Sequence, residues 1–243
     1  MSTGQRTRPF EMYETRVESI DNLSPRNVNV RFQLPQGKEK YFKAGQFVQI
    51  FVPREGDKPR RTAYSIASPP QLTDSFELCV TRVDGGVSSG YVHQLKKGDK
   101  VTVLGPLGRF TLPDNLPRDV VFIATGSGIA PFRSMVNDLL YKETDKNVYL
   151  LYGNRHDDDI LYQKEWEKLA STEKNFKLYL TLSQPKNWTG PKGYVGSKIE
   201  EFIPNLKEKD YYICGLSTMI DSVKDKLREL EVPDSQIHFE KYD

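Results

Sequence analysis

The sequence predicts two successive domains, an amino-terminal antiparallel β-barrel and a carboxyl-terminal α/β domain built around a parallel sheet. Up to about residue 112, short segments rich in β-branched and aromatic residues are separated by Gly- and Pro-containing turns, a pattern typical of an antiparallel barrel. These segments are YETRVESI (13–20), NVNVRFQL (27–34), QFVQIFV (46–52), SFELCVTRV (75–83) and DKVTVLG (99–105). Because PDNLPRD (113–119) has the composition of a linker, we place the first domain at residues 1–114 and the second at 115–243.

In the second half, apolar segments alternate with stretches of helical periodicity, which indicates βαβ units around a parallel sheet. The strand-like segments are VVFIAT (120–125), NVYLLYG (147–153), FKLYLTLS (176–183), DYYICG (210–215) and QIHFEKY (236–242). The helical ones are APFRSMVNDLLYKE (130–143), DILYQKEWEKLAS (159–171) and STMIDSVKDKLRELE (217–231). Ligands of such sheets bind beyond the carboxyl ends of the strands, so we expect a site there.

Composition excludes several classes of function. The 243 residues include 37% hydrophobic ones, enough for a sizeable core, and 35 basic and 33 acidic residues give a net charge of +2. This balance gives no reason to expect nucleic acid or an anionic membrane as the partner. MSTGQRTRPF lacks the apolar stretch of a signal peptide, and no run reaches the ~20 apolar residues of a membrane helix, so we expect a cytoplasmic protein. Cys79 and Cys214 offer neither metal-ligand spacing nor a disulfide framework.

The stretch TGSGIAP (125–131) is the first candidate ligand loop, because it joins a predicted strand to a predicted helix. Its two glycines permit positive φ and close approach of a ligand, and amides at a helix start can face an anion. Pro131 stands where the common dinucleotide fingerprint has its third glycine. Phosphate binding and a plain structural turn are both compatible with the residues alone.

Three further stretches allow similar pairs of interpretations. RRTAYSIASPP (60–70) places an aromatic ring beside a hydroxyl at a strand end, suited to stacking on a flat ligand or simply to the barrel. DGGVSSGYVHQL (84–95) is either a phosphate-binding helix start or a serine-capped helix. LGPLGRF (104–110) is either a close-packed loop or an ordinary turn.

In this order, the four motifs resemble those of the ferredoxin–NADP reductase superfamily, flavoprotein reductases with an FAD-binding barrel and a nicotinamide-binding α/β domain. The resemblance extends from the first strands to HFEKYD at the carboxyl end, through LLYGNR, DILYQKEWE, WTGPKGYV and YYICG. It implies that Tyr64 stacks on the isoalloxazine and that Ser65 hydrogen-bonds near its N5, with Ile66 alongside. It further implies an FAD pyrophosphate turn made by Gly86, Val87, Ser88 and Ser89.

The same resemblance implies that the nicotinamide nucleotide binds to the second domain. Its pyrophosphate loop would consist of Thr125, Gly126, Gly128 and Pro131, and Cys214 with Gly215 would lie near the nicotinamide. Alternatively, Cys214 is a small buried apolar residue. Near the carboxyl end, Glu240 and Tyr242 would line the other face of the flavin, or simply pack the terminus. We therefore expect FAD, with NADPH or NADH, as cofactors and Tyr64, Ser65, Cys214 and Glu240 as the catalytic group.

Two departures from the family pattern leave details open. The family's arginine two residues before the tyrosine is replaced by Thr62, so the cation for the FAD phosphates is Arg61 or Arg82. Many NADP-dependent members carry serine–arginine after the third α/β strand, whereas here Ser183 is followed by glutamine, which supplies no charge. The positions that match 2′-phosphate ligands, or lie beside them, are Arg155, Lys186, Lys192 and Tyr194, and they favour NADPH slightly.

The activity implied is transfer of hydride from NAD(P)H to the flavin and of single electrons onward. Two isolated cysteines cannot hold a plant-type [2Fe–2S] cluster, so we expect a separate ferredoxin, flavodoxin or oxygenase component as acceptor, and a monomeric reductase. Two alternatives remain: a flavin or ferric reductase that uses free flavin, and a non-catalytic regulatory protein on the same scaffold.

Overall fold

Two β-sheets organise residues 11–37 and 42–242, the part of the chain that the computed structural model describes. MSTGQRTRPF, in which we expect no signal peptide, and the last residue of the predicted second domain lie outside the described residues. The strands are β1 Glu11–Ser24, β2 Asn27–Gln33, β3 Phe47–Val52, β4 Arg60–Ser65, β5 Ser75–Thr81, β6 Lys100–Leu107, β7 Asp119–Thr125, β8 Val148–Asn154, β9 Phe176–Leu182, β10 Lys209–Gly215 and β11 Ile237–Lys241. The helices are α1 Val87–Gln94, α2 Ile129–Tyr141, α3 Gln163–Thr172, α4 Ile199–Phe202 and α5 Ser217–Glu229.

The first sheet is antiparallel, with strand order β4-β3-β6-β1-β2-β5. Alternate residues of β3 are buried, as expected for a strand with one face on a core. The two edge strands meet at one bridge, between Ile66, just after β4, and Leu78 of β5. The predicted antiparallel barrel is therefore confirmed, as a half-barrel whose edges join at one end.

The second sheet is parallel, with strand order β11-β10-β7-β8-β9. All residues of β8 and β10 are buried, because helices cover both faces of the sheet. Alternation along β7 sends Phe122 into a core with Phe132 of α2 and Trp166 of α3, and Ile123 into a core with Ile220 of α5. The predicted α/β domain is confirmed.

The point at which the order of strand addition reverses lies between β7 and β10. From β7 the chain proceeds through β8 to β9 and then crosses back to β10 on the other side of β7. At such a switch point the connections leave in opposite directions, which opens a crevice at the carboxyl ends of the strands. Thr125 ends β7 and Gly215 ends β10, so both border this crevice.

The two halves share one core. Ala44, Ala67 and Cys79 of the barrel are buried in the same hydrophobic cluster as Phe132 and Met135 of α2. The expected boundary after residue 114 falls in the segment between β6 and β7. The faces of barrel and α/β sheet are therefore packed directly together along α2.

Two elements differ from the sequence prediction. RRTAYS, which was not among the predicted strands although Tyr64 and Ser65 were expected at a strand end, forms the edge strand β4; four of its six residues are polar or charged. Helix α3 begins at Gln163 instead of near Asp159, because Tyr162 adopts a left-handed conformation with φ 57°. Such a conformation interrupts a right-handed helix.

Candidate functional site

The aromatic–hydroxyl pair lies at the end of edge strand β4. Tyr64 is half-buried against the barrel core, and burial raises its pKa to about 12, with the charge of Arg60 opposing the shift. Ser65 is buried, and Ile66 follows it at the bridge that joins the barrel edges. The barrel therefore presents the Ser65 hydroxyl towards the α/β domain, while the neutral ring of Tyr64 lies on the other face of β4, against the barrel core.

Strand alternation separates the two arginines that precede Tyr64. Arg60 and Thr62 share one face of β4 with Tyr64, whereas Arg61 lies on the opposite face. The geometry does not favour the expectation that Arg61 reaches the same ligand as Tyr64. Arg60 is the arginine on the Tyr64 face. The sequence suggested Arg61 or Arg82 as the phosphate cation because spacing from the tyrosine, and not the face of the strand, was considered.

The carboxyl-terminal strand brings Glu240 to Ser65, although 175 positions separate them. Ser65 Oγ donates a 3.3 Å hydrogen bond to Glu240 Oε2. Burial raises the pKa of Glu240 to about 6, and the hydrogen bond from Ser65 opposes this shift. Glu240 can therefore carry a proton at mildly acidic pH, within hydrogen-bond distance of the hydroxyl beside Tyr64.

Cys214 and Tyr242 complete this cluster. Cys214 pairs with Glu240 across β10 and β11, and burial raises the pKa of its thiol, which therefore stays protonated. The amide of Tyr242 donates 2.9 Å to the carbonyl of Gly215, which fixes the end of the chain against β10. The buried Tyr242 hydroxyl has Ser65 and Cys214 as polar neighbours but makes no hydrogen bond of ordinary geometry among the described residues.

Helix α1, the predicted site of the FAD pyrophosphate, begins beside β4. Its N-cap is Gly86, which has no side chain to cap the helix, so amides of the first turn, from Val87 onward, have no helical partner. Ser88 Oγ lies 2.6 Å from Thr62 Oγ1 and ties the helix start to β4. Ser89 Oγ accepts a 3.1 Å hydrogen bond from the amide of Val83, so this hydroxyl builds the turn itself.

The loop TGSG, the predicted site of the nicotinamide-nucleotide pyrophosphate, lies at the switch point. Gly126 has φ +53°, and a Cβ placed there would meet nothing within 4 Å. Gly128 has an ordinary φ of −60°, but its Cβ would lie 2.3 Å from the carbonyl oxygen of Cys214. Pro131 lies in the first turn of α2, where its missing N–H leaves no helical bond unmade. The loop thus exposes one side and packs its other side on β10.

Tyr152 of β8 supports this loop from below. Its buried hydroxyl donates a 2.9 Å hydrogen bond to the carbonyl of Gly126 and accepts a 3.4 Å one from the amide of Leu161. Sequence reasoning missed Tyr152, although an aromatic residue in YLLYGN at the end of an apolar strand was a usable signal.

The residues expected near a 2′-phosphate gather at the ends of β8 and β9. The amide of Ser183 donates a 3.0 Å hydrogen bond to the carbonyl of Asn154, and the amide of Gln184 donates a 2.8 Å one to the carbonyl of Arg155. Lys192 forms a bridge with Leu182, and Tyr194 is 76% exposed. Arg155, Ser183, Lys192 and Tyr194 therefore lie on neighbouring turns at this edge.

A histidine joins these turns and was also missed by sequence reasoning. His156 Nδ1–H donates a 2.6 Å hydrogen bond to the carbonyl of Gln184, which links the turn after β8 to the turn after β9. Its position beside Arg155 in the sequence was the available signal.

Three further properties concern the described part of the chain. None of its helices is long and apolar enough to cross a membrane. It holds no group of three or more His, Cys, Asp or Glu side chains arranged to bind a metal ion. Both cysteines are free and buried.

Comparison with known proteins matches each half to a family. Residues 14–112 match the oxidoreductase FAD-binding domain, and residues 122–225 match the oxidoreductase NAD-binding domain. The chain is 36% identical over 241 residues to ferredoxin–NADP reductase B of Sorangium cellulosum, covering 96% of this chain and 98% of that relative.

Relatives from oxygenase systems are longer than this chain. It is 33% identical to the phenol hydroxylase P5 protein of Acinetobacter pittii, covering 95% of this chain and 65% of that protein. Among solved structures, a cytochrome P450 reductase from Amycolatopsis superposes with a TM-score of 0.87 at 26% identity, covering 97% of this chain and 71% of that one. With a full-length relative and both domain families matched in order, the chain belongs to the ferredoxin–NADP reductase superfamily of FAD-dependent NAD(P)H oxidoreductases.

Proposed function

We propose that the protein takes electrons from NAD(P)H onto a bound FAD at the interface of its two domains and passes them to a separate ferredoxin, flavodoxin or oxygenase component. The observation that supports the proposal is the 3.3 Å hydrogen bond from Ser65, the neighbour of Tyr64 in the barrel, to Glu240, which pairs with Cys214 in the α/β domain. FAD supplies a ring system that accepts two electrons from a nicotinamide and releases them singly.

The side chains at this interface fit such a group. The unpaired hydroxyl of Tyr242 is a buried polar atom that calls for a partner with a hydrogen-bonding edge. Tyr64 supplies a neutral ring for stacking, and the amides after Gly86 supply donors for phosphate oxygens. We propose Arg60 as the cation for these phosphates, because it shares the Tyr64 face of β4.

Each polar residue then has a defined task. Ser65 and Glu240 form a hydrogen-bonded pair that can hold or release one proton at the buried edge of the site. The protonated Cys214 thiol contributes bulk and shape instead of charge. The Thr125–Pro131 loop would hold the nicotinamide nucleotide through the exposed side of Gly126.

We propose NADPH as the preferred donor. The backbones of Arg155 and Lys192 lie beside Ser183 at the ends of β8 and β9, so their side chains are candidates for charge-assisted hydrogen bonds to a 2′-phosphate. The name of the Sorangium relative, ferredoxin–NADP reductase B, supports this choice. We retain the domain limits 1–114 and 115–243, and propose a monomer, which light scattering would report near 27.9 kDa.

The acceptor is tested by a panel of electron acceptors with the purified holoprotein and NADPH. We expect rapid reduction of a plant-type ferredoxin or a flavodoxin, with ferricyanide as the positive control for flavin reduction. The relatives named phenol hydroxylase P5 protein and toluate 1,2-dioxygenase electron transfer component make an oxygenase the third acceptor to include. A protein that lacks bound FAD and reduces only added free flavin would overturn the proposal.

A further inference from the structure

A buried arginine joins the two domains beside the candidate site. Arg133 lies in α2, and its side chain is 15% exposed. Its Nη1 donates a 2.5 Å hydrogen bond to Oε2 of Glu77 in barrel strand β5 and a 3.3 Å one to the carbonyl of Ala67. Its Nε donates 2.8 Å to Glu165 of α3, inside the α/β domain. The guanidinium therefore has one carboxylate partner in each domain.

Neighbouring groups hold this arrangement in place. Arg31 of β2 donates 2.7 Å to the other oxygen of Glu77. Burial alone would raise the pKa of Glu77, but the charges and hydrogen bonds of Arg133 and Arg31 outweigh burial and lower it. The ring of Tyr162 lies 4.4 Å from the Arg133 guanidinium, and its hydroxyl donates 2.8 Å to Asn29 of β2. Both charges of the Arg133–Glu77 pair are thus fully partnered.

The pair lies within a few residues of both halves of the site. Ala67, whose carbonyl accepts from Arg133, is two residues after Ser65. Arg133 itself is two residues after Pro131, in the helix that continues the TGSG loop. A shift of the Arg133–Glu77 contact would therefore move the nucleotide loop relative to the Tyr64–Ser65 edge.

We propose that Arg133 and Glu77 are positioning residues that set the reacting distance between the nicotinamide held by the TGSG loop and the flavin held by Tyr64 and Ser65. A buried ion pair adds little net stability, because loss of hydration offsets the attraction, but removal of one partner leaves the other charge buried and uncompensated, so the segments that carry the pair must rearrange. A reaction that needs close approach of two rings is sensitive to displacements of about 1 Å. The inference rests on the proposed function, and it assigns these residues to the rate of flavin reduction and not to the affinity for either nucleotide.

Two matched variants separate the contact between domains from the contact within one domain. Glu77→Gln removes the carboxylate that Arg133 meets in the barrel, whereas Glu165→Gln removes the one it meets in α3. Both replace a carboxylate of the same guanidinium by an amide of the same shape. On the holoproteins, we would measure FAD content, the dissociation constant of NADP⁺, anaerobic single-turnover reduction by NADPH, and amide hydrogen exchange.

For Glu77→Gln we expect a rate of flavin reduction at least tenfold below wild type. FAD content and the dissociation constant of NADP⁺ should stay within about twofold. Hydrogen exchange should rise at residues 66–68 and 129–137. For Glu165→Gln we expect a rate within about threefold of wild type and unchanged exchange at residues 66–68. Equal rate losses in both variants, or a wild-type rate in Glu77→Gln, would overturn the proposal.

A second variant covers loss of folding or of FAD in Glu77→Gln. Glu77→Asp keeps the charge and draws it back by one methylene, so we expect this variant to retain FAD. Its rate of flavin reduction should be at least threefold below that of wild type and, where Glu77→Gln can be measured, above that of Glu77→Gln. A wild-type rate in Glu77→Asp would refute the positioning role. If the wild-type protein itself is not reduced by NADPH or NADH, the proposed function fails, and the exchange data alone then decide whether Glu77 couples the two segments.

Discussion

Replacement of either glycine of the TGSG loop by alanine should impair the protein, but for a different reason at each position. At Gly128 the backbone conformation suits any residue, with φ −60° and ψ −8°, so only space forbids a side chain. A Cβ there would lie 2.3 Å from the carbonyl oxygen of Cys214, whereas ordinary contact begins at 3.4 Å. Both groups are backbone, so the loop and β10 must separate by roughly 1 Å, a displacement read directly from those two distances.

This displacement sets the expected magnitude for Gly128→Ala. Overpacking of this kind costs about 1–3 kcal/mol, which for a chain of this size lowers the unfolding temperature by roughly 2–12 °C. The same movement of about 1 Å should lower the rate of flavin reduction by up to about 100-fold. The assays are thermal unfolding followed by circular dichroism, and anaerobic single-turnover reduction by NADPH.

Gly126→Ala is the matched control for stability. Its Cβ meets no protein atom within 4 Å, so the expected loss is the cost of a left-handed alanine, roughly 1–2 kcal/mol. Its methyl group instead occupies the open side of the loop, and we expect a weaker affinity for NADP⁺. A Gly128→Ala protein with wild-type unfolding temperature and wild-type reduction rate would refute the packing argument.

Three further variants test the rest of the site. Burial raises the pKa of Glu240 from 4.5 to about 6, so its charged form destabilises the folded apoprotein increasingly as pH rises through this window. Glu240→Gln should therefore stabilise the apoprotein by up to about 2 kcal/mol at pH 7.5 and not at pH 4. The measurement is urea unfolding at both pH values. Thr62→Val removes the 2.6 Å contact to Ser88, and we expect the dissociation constant of FAD, measured by flavin fluorescence, to rise about fivefold. An unchanged dissociation constant would contradict the role given to α1. Arg60→Gln should weaken FAD binding about tenfold and Arg61→Gln less than twofold in the same assay; the reverse order would return the phosphate to Arg61.

The two sheets were predictable because burial of one or both faces of a strand leaves a regular pattern of apolar residues in the sequence. Strands such as FVQIFV alternate along one buried face, and VYLLYGN is apolar throughout because helices cover both sides. RRTAYS was expected only to hold a strand end, because β4 is an edge strand whose first residues are exposed and polar. The predicted start of α3 was wrong because nothing in the residue type of Tyr162 indicates its left-handed φ.

The site was predictable only where a motif is local. TGSGIAP and GGVSS indicate turns before helices, and the structure places them at the starts of α2 and α1; their ligand roles stay predictions. The contact between Ser65 and Glu240 joins positions 175 apart, so resemblance to a family was the sole guide to it. Arg133 and Glu77 were missed for the same reason, although a glutamate inside the apolar strand SFELCV was a usable sign of a buried partner.

The most direct test of the account is an anaerobic titration of the purified protein, followed by visible absorption. We expect a yellow protein with one FAD per chain, whose visible absorption is bleached by about one equivalent of NADPH and is lost when Tyr64→Ala releases the flavin. A colourless protein, or a yellow one that neither NADPH nor NADH bleaches, would contradict it.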